Sequence, residues 1–400
     1  MSVTAVFLPT DSGRQAEADL LLCCARARLE PARAEHLNTT ARRPLDWQWV
    51  LHMARLHGVL PLVHRHVSAA TGDVVPAPVR EHLRQESLGS ARRNLRLASQ
   101  LQSLLRLFSD HGIAALPFKG PTLALAAYGD VALRSFRDLD ILVRQQDVTH
   151  AGELLASRGF RKTLQLDARR EAAFRAAYAE HEFLRADGDR VDLHWAFAER
   201  AFHFPLSPED LWSRRQPLKV AGSLLDTLAP EDLLLVLAAH GTRHHWTRLL
   251  WIADVAELVR SVEAIDWDTL YRRAAALGTA RMLTLALRLA QDLLDASPPT
   301  RMREHLRRDR TVETLAADIR RRLFLGPISA EVGLRTRLFH IRAHERLAHR
   351  VTYLSRLVLT LSPRDWDLLP LPRRLYLLYY LVRPLRLMVK YLRRLPVLRW

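Results

Sequence analysis

Two aspartates separated by one leucine, Asp138 and Asp140, open the apolar run Asp138-Leu139-Asp140-Ile141-Leu142-Val143. In a strand, residues two apart point to the same face, so both carboxylates project together while Leu139, Ile141 and Val143 face a core. Like charges held that close repel strongly unless a cation stands between them. Carboxylates together with phosphate oxygens suit the hard ion Mg²⁺. An isolated Asp-x-Asp is also common as a solvated loop pair, so the metal reading depends on its surroundings.

Those surroundings add a third acid. In residues 181–197, HEFLRADGDRVDLHWAF, the pair Asp187-Gly188 predicts a hairpin turn between two strands. On the second arm Asp192 and His194 share one face, opposite Val191, Leu193 and Trp195. Upstream, Gly112 ends a helix and Ile113 to Phe118 reads as a short strand. Lys119-Gly120 then turns the chain, and Pro121 opens a helix over Thr122 to Tyr128. A helix start after a glycine turn presents free backbone N–H groups that favour anions such as phosphate. Lys119 and Arg134 would neutralise phosphate charge, with Thr122 and Ser135 as polar neighbours; Tyr128 reads as core.

The elements that must position these groups are mostly helical. Residues 1–110 read as a helical cap, with a helix over Trp47 to Val67 interrupted near Gly58 and Pro61, and a break at 71–78. In 97–108 the positions Leu97, Leu101, Leu104, Leu105 and Phe108 follow one helical face. After the 138–143 strand, a helix over 147–158 stops at Gly159. Pro230-Glu231-Asp232 begins another helix, with acids at the positive end of its dipole. If that helix runs unbroken through residues 240–259, His240, His244, Thr247, Trp251 and Asp254 fall in one sector, although Gly241 is a candidate break. His240, His244 and His245 suggest zinc, yet the glutamate of a metalloprotease motif and a third ligand are missing. Packing against the sheet is the favoured reading, which makes His194, His240 and His244 candidates to line a cleft.

The chain of 400 residues, 48% hydrophobic and 26% charged, has enough apolar surface for a core of two or three domains. Its net charge of +17 is unevenly spread. Residues 301–400 hold 23 Arg and Lys against 8 Asp and Glu, which leaves the first 300 residues nearly neutral. The presumed core therefore carries no strong nucleic-acid signal. Residues 351–400 form a basic block whose stretch 371–400 reads as a surface helix for a membrane or an acidic partner. Cys23 and Cys24, adjacent in a helix, fit buried thiols in a reducing cytoplasm. No signal peptide or membrane span is evident.

The run from Phe118 to Val143 resembles the nucleotidyltransferase superfamily that includes DNA polymerase beta and the abortive-infection nucleotidyltransferases of bacteria. It looks most like an uncharacterised bacterial branch of that superfamily. The likeness implies a glycine turn at Lys119-Gly120, Asp-x-Asp at Asp138 and Asp140, and a later carboxylate at Asp192. It also implies an α+β fold, a small mixed-sheet core at 111–215 between helical regions, with 216–350 as a helical domain and 351–400 as the tail. By the same resemblance, Asp138, Asp140 and Asp192 hold two Mg²⁺ ions and an NTP donates its NMP to an acceptor hydroxyl of a protein, a metabolite or an RNA end. Lys119, Gly120, Thr122, Arg134 and Ser135 would then contact the nucleotide. The family turn is commonly Gly-Ser or Gly-Gly, whereas here Pro121 follows Gly120 and has no N–H to donate. That departure supports a competing expectation, a degenerate nucleotide-binding accessory protein or scaffold acting through its basic tail. Phosphoryl transfer is a third.

Overall fold

The computed structural model describes residues 13–70, 74–220, 222–262, 265–325, 334–360, 365, 378–379, 382–384 and 386. Its centre is a five-stranded mixed sheet of β1 (Ala115–Pro117), β2 (Asp138–Val143), β3 (Arg161–Lys162), β4 (Glu180–Leu184) and β5 (Arg190–His194). The strand order is β1-β2-β5-β4-β3, with β2 and β5 parallel and the other pairs antiparallel. A separate hairpin, β6 (Gln216–Val220) and β7 (Ser223–Thr227), leans on the edge of β1, where Thr227 Oγ1 donates to the Pro117 carbonyl at 2.6 Å. Helices occupy the rest, so the fold is α+β as expected.

The alternation in β2 and β5 sorts their side chains as the sequence predicts. Leu139, Ile141, Val143, Val191 and Leu193 share one apolar cluster with Leu97, Leu101, Leu104 and Phe108 of the 34-residue helix Ala77–Asp110. The opposite face keeps the aspartates, and further along β2 Leu142 joins a second, larger cluster. That larger cluster contains Leu20, Leu21, Met53 and Val63 from the first helices as well as Leu234, Leu258, Leu287 and Leu315 from the later ones. The helices at 15–70 and at 230–323 thus bury their apolar faces together, since neither set covers its stripe alone.

Several boundaries follow from local chemistry. The first helical stretch divides into Trp47–Leu56 and Leu60–Ala70, and Val148–Ser157 ends before Gly159. The stretch 240–259, read as one helix only if unbroken, belongs to two helices, Pro230–Arg243 and Leu249–Ser261. Gly241 is not the break. It lies inside the first helix because the fully buried Trp246 ring folds back on it; a Cβ at Gly241 would stand 2.5 Å from that ring. The chain reverses instead at His245 and Trp246, both at positive φ (59° and 53°). Two non-glycine residues there give no turn signal in the sequence. Most of residues 361–400, and with them nearly all of the expected 371–400 surface helix, lie outside the described residues. Among the described residues no helix is long and apolar enough to cross a membrane.

Candidate active site

The parallel pairing of β2 with β5 sets Asp140 directly opposite Asp192, and Asp138 opposite Arg190. Neighbouring strands lie about 4.8 Å apart, so the second and third acids of the predicted set are adjacent. Asp138 is two residues back along the same face of β2. The sheet therefore sets all three acids on two adjacent strands.

Charge around them is distributed unequally. Lys119 Nζ lies 3.0 Å from Asp140 Oδ1, and His194 Nε2 lies 3.2 Å from the same oxygen. The other ring nitrogen of His194 faces Glu180 Oε2 at 3.1 Å. Burial would raise the Asp140 carboxyl, but Lys119 and then His194 outweigh it and hold it well below the usual carboxylate range. Burial likewise opposes charge on His194, yet Glu180 and Asp140 outweigh it and raise its basicity. Phe118 stacks edge-on to the His194 ring at 5.0 Å and limits its orientations.

Asp192 has no such partner. Its Oδ1 is buried and accepts no hydrogen bond. Burial first, then the Asp140 charge, push its carboxyl up to about 7. The same two causes raise Asp138. A carboxyl raised in this way stays protonated in the fold at a pH where the unfolded chain has lost the proton. Its stabilising effect is complete below about pH 4 and fades as pH rises through about 7. Without divalent cation, the unfolding free-energy gap between wild type and Asp192→Asn therefore shifts against wild type by a few kcal/mol between pH 4 and 8. Urea titrations across that range read the shift, and a gap independent of pH contradicts the environment described.

The Lys119-Gly120 turn leads into the helix Pro121–Tyr128, whose start no side chain caps. Pro121 occupies the first helical position, and the N–H groups of Thr122 and Leu123 begin the helix without an intrahelical acceptor. Thr122 Oγ1 donates to the Lys119 carbonyl at 2.8 Å, so this buried hydroxyl braces the turn. Gly120 has φ +57°, and a Cβ there would lie 3.2 Å from the Asp138 carbonyl oxygen. Gly120→Ala is expected to cost about 1–3 kcal/mol from backbone strain and to displace Asp138. A melting curve and a nucleotide-binding titration check it; unchanged values in both contradict it.

Arg134 is placed differently from the expected phosphate contact. Its buried guanidinium is bidentate to Asp254, at 2.7 and 2.9 Å, and Tyr128 donates to the same carboxylate at 2.9 Å. Burial opposes the Arg134 charge, but Asp254 outweighs it and raises its basicity further. Asn94 on the long helix donates to the Val131 and Arg134 carbonyls, both at 2.8 Å. The 129–137 loop that delivers β2 is thus fastened on two sides, with half-buried Ser135 upon it.

His240 and His244 meet each other at 4.7 Å between ring centroids, and each meets Trp251 at 5.3 Å. Burial and then Lys119 push His240 well below its ordinary value. Burial and then Arg243 push His244 down to about 3, so both rings are neutral at pH 7. Lys119, the partner of Asp140, is among the charges that disfavour protonation of both rings. His245 turns away and stacks on Phe339 at 4.6 Å, so the three histidines do not converge.

Glu180, Asn94 and the pairing of Asp254 with Arg134 were not anticipated from the sequence. Counting back from the Asp187-Gly188 turn would have found Glu180, since the hairpin register sets it opposite His194. Asp254 and Asn94 lie 120 and 40 residues from Arg134, and no local pattern announces them.

Among the described residues no group of three or more His, Cys, Asp or Glu side chains is placed to hold a metal ion. Magnesium commonly takes one or two carboxylates and completes its shell with substrate phosphates and water. The partnerless Asp192 oxygen and the raised Asp138 carboxyl suit such a hard cation.

The mixed sheet thus carries three acids on paired strands beside a glycine-led helix start. The chain belongs to the family described as uncharacterised nucleotidyltransferase, whose model matches residues 43–295. It is also similar to the crystal structure of an antigenic nucleotidyltransferase-like protein from Paracoccidioides brasiliensis. That similarity covers 52% of this chain and 94% of the other, at 16% identity and a TM-score of 0.32. No curated protein matches the sequence.

Proposed function

We propose that the protein is a Mg²⁺-dependent nucleotidyltransferase that moves an NMP from an NTP to a hydroxyl of an acceptor. The observation that carries this reading is the in-register pairing of Asp140 with Asp192, with Asp138 beside them. Asp138, Asp140 and Asp192 would hold Mg²⁺, as two ions, with the triphosphate; bound there, the metal screens phosphate charge and polarises the reacting phosphorus. The helix start at Thr122 and Leu123 and the Lys119 ammonium favour the anionic phosphates. The bond that forms joins the acceptor oxygen to the α-phosphorus, and the bond that breaks releases pyrophosphate. Asp192, beside the reacting phosphorus, would take the hydroxyl proton. Arg134 acts from behind, by holding the loop that presents Asp138 and by its positive charge.

The neutral His240, His244 and Trp251 wall suits a flat, uncharged group, either the nucleobase or part of the acceptor. The nearly neutral first 300 residues favour a protein side chain or a small molecule over a long nucleic acid as acceptor. The competing reading is a catalytically degenerate nucleotide-binding accessory protein, and Pro121 favours it by removing one N–H from the phosphate-facing turn. Isothermal titration with ATP and GTP, with and without Mg²⁺, tests the proposal. Binding that requires Mg²⁺ and is lost in Asp138→Asn supports it, whereas binding indifferent to both favours the accessory role.

A further inference from the structure

We infer that the outward face of the helix Leu347–Leu359 docks on an anionic lipid surface. Leu347, Val351, Leu354 and Val358 recur at i, i+4, i+7 and i+11, which makes one stripe along the helix. They are 73%, 58%, 44% and 37% exposed. The other exposed positions of this helix are Ala348, Ser355 and Leu359, so its solvent side carries no charge. Its two arginines are half-buried and bonded to carbonyls. Arg350 Nε donates to the His344 carbonyl at 2.8 Å, and Arg356 Nη1 donates to the Arg200 carbonyl at 2.9 Å. Tyr353 is buried, with its hydroxyl 3.0 Å from His340 Nδ1. A surface helix ordinarily has the reverse arrangement, and a contiguous apolar stripe in water marks a contact site.

Charge selects the occupant. Residues 334–360 hold six Arg against one Glu, and Arg335, Arg342 and Arg346 among them are exposed. Two copies meeting at this face would bring those charges together, whereas an anionic bilayer attracts them and receives the apolar stripe. Arg383 donates to the Leu357 and Val358 carbonyls at the end of the helix, and Tyr379 is buried in the sheet's apolar cluster. At 13 residues the helix is about 20 Å long, which suits lying in the interface rather than crossing it.

The full chain is tested by flotation with vesicles of phosphatidylcholine alone and of phosphatidylcholine with phosphatidylserine. The expected result is binding to the anionic vesicles that weakens with salt. The variant Leu347→Ser, Val351→Ser, Leu354→Ser, Val358→Ser should bind them at least about tenfold more weakly, with an unchanged melting temperature. A separate Val351→Trp variant should show a blue-shifted emission on adding the anionic vesicles, which keeps the test valid if the multiple variant is unstable. The inference is overturned by absence of wild-type binding, by undiminished binding of the serine variant, or by an emission of the Val351→Trp variant that ignores the vesicles. It is also overturned if sedimentation shows a dimer that the serine substitutions dissociate.

Discussion

Asp140→Asn lowers nucleotidyl transfer by about a thousandfold while the protein remains folded. The argument begins with shape: asparagine keeps the volume and leaves an oxygen for Lys119 and His194, which stand 3.0 and 3.2 Å from the aspartate. What it removes is the negative charge at the centre of the three-acid set. Asp140 is the one acid of the three whose ionised form the protein itself secures, through Lys119 and then His194 against the effect of burial. Asp138 and Asp192 are both raised, in part by that same charge. Neutralising residue 140 therefore weakens cation affinity and also lowers the proton affinity of Asp192. Steady-state assays of wild type and variant, with melting curves beside them, read both effects. Activity within about threefold of wild type in a folded variant contradicts the role assigned to Asp140.

Asp254→Ala costs about 3–5 kcal/mol of folding stability, the largest effect expected of a single change outside the carboxylate set. Arg134 is then left buried with no anion, since both hydrogen bonds it makes to a carboxylate end on Asp254. Tyr128 loses its acceptor at the same stroke. Replacing both charged partners by apolar groups, Arg134→Met with Asp254→Leu, restores most of the loss because no buried ion remains. Urea unfolding of the three variants forms the cycle. A single variant that loses less than about 1 kcal/mol shows that water reaches the pair, and so contradicts its burial. The double variant should still transfer poorly, since the 129–137 loop then lacks the guanidinium clamp and keeps only part of its hydrogen bonding, through Asn94.

The legible parts of this molecule were those set by short-range periodicity. The two-residue repeat of Asp138, Asp140 and Leu142 against Leu139, Ile141 and Val143 fixed which face of β2 is polar, and Asp187-Gly188 fixed the β4–β5 hairpin. The direct Asp140–Asp192 opposition was not legible, because parallel pairing of β2 with β5 depends on helices packed far away in sequence. The reversal at His245 and Trp246 escaped notice for a different reason. Its cause is the burial of one indole against Gly241, a tertiary contact that outweighs backbone preference. Arg134 illustrates the same limit at the site. A cation four residues before an Asp-x-Asp strand looks like a phosphate ligand, and only the fold reveals that Asp254 claims it. Strand periodicity picked out the three acids and the family resemblance gave them a role; the unequal electrostatics that separate Asp140 from Asp192 came from Lys119, Glu180 and His194 in space.

Label placement tests the central claim most directly. The protein is incubated with Mg²⁺ and a cell lysate in the presence of nucleotides carrying ³²P at the α or the γ position. Transfer of α-label to a lysate component, absent with γ-label and absent in Asp140→Asn, is the predicted result. Transfer of γ-label alone, or α-label transfer that Asp140→Asn leaves intact, contradicts it.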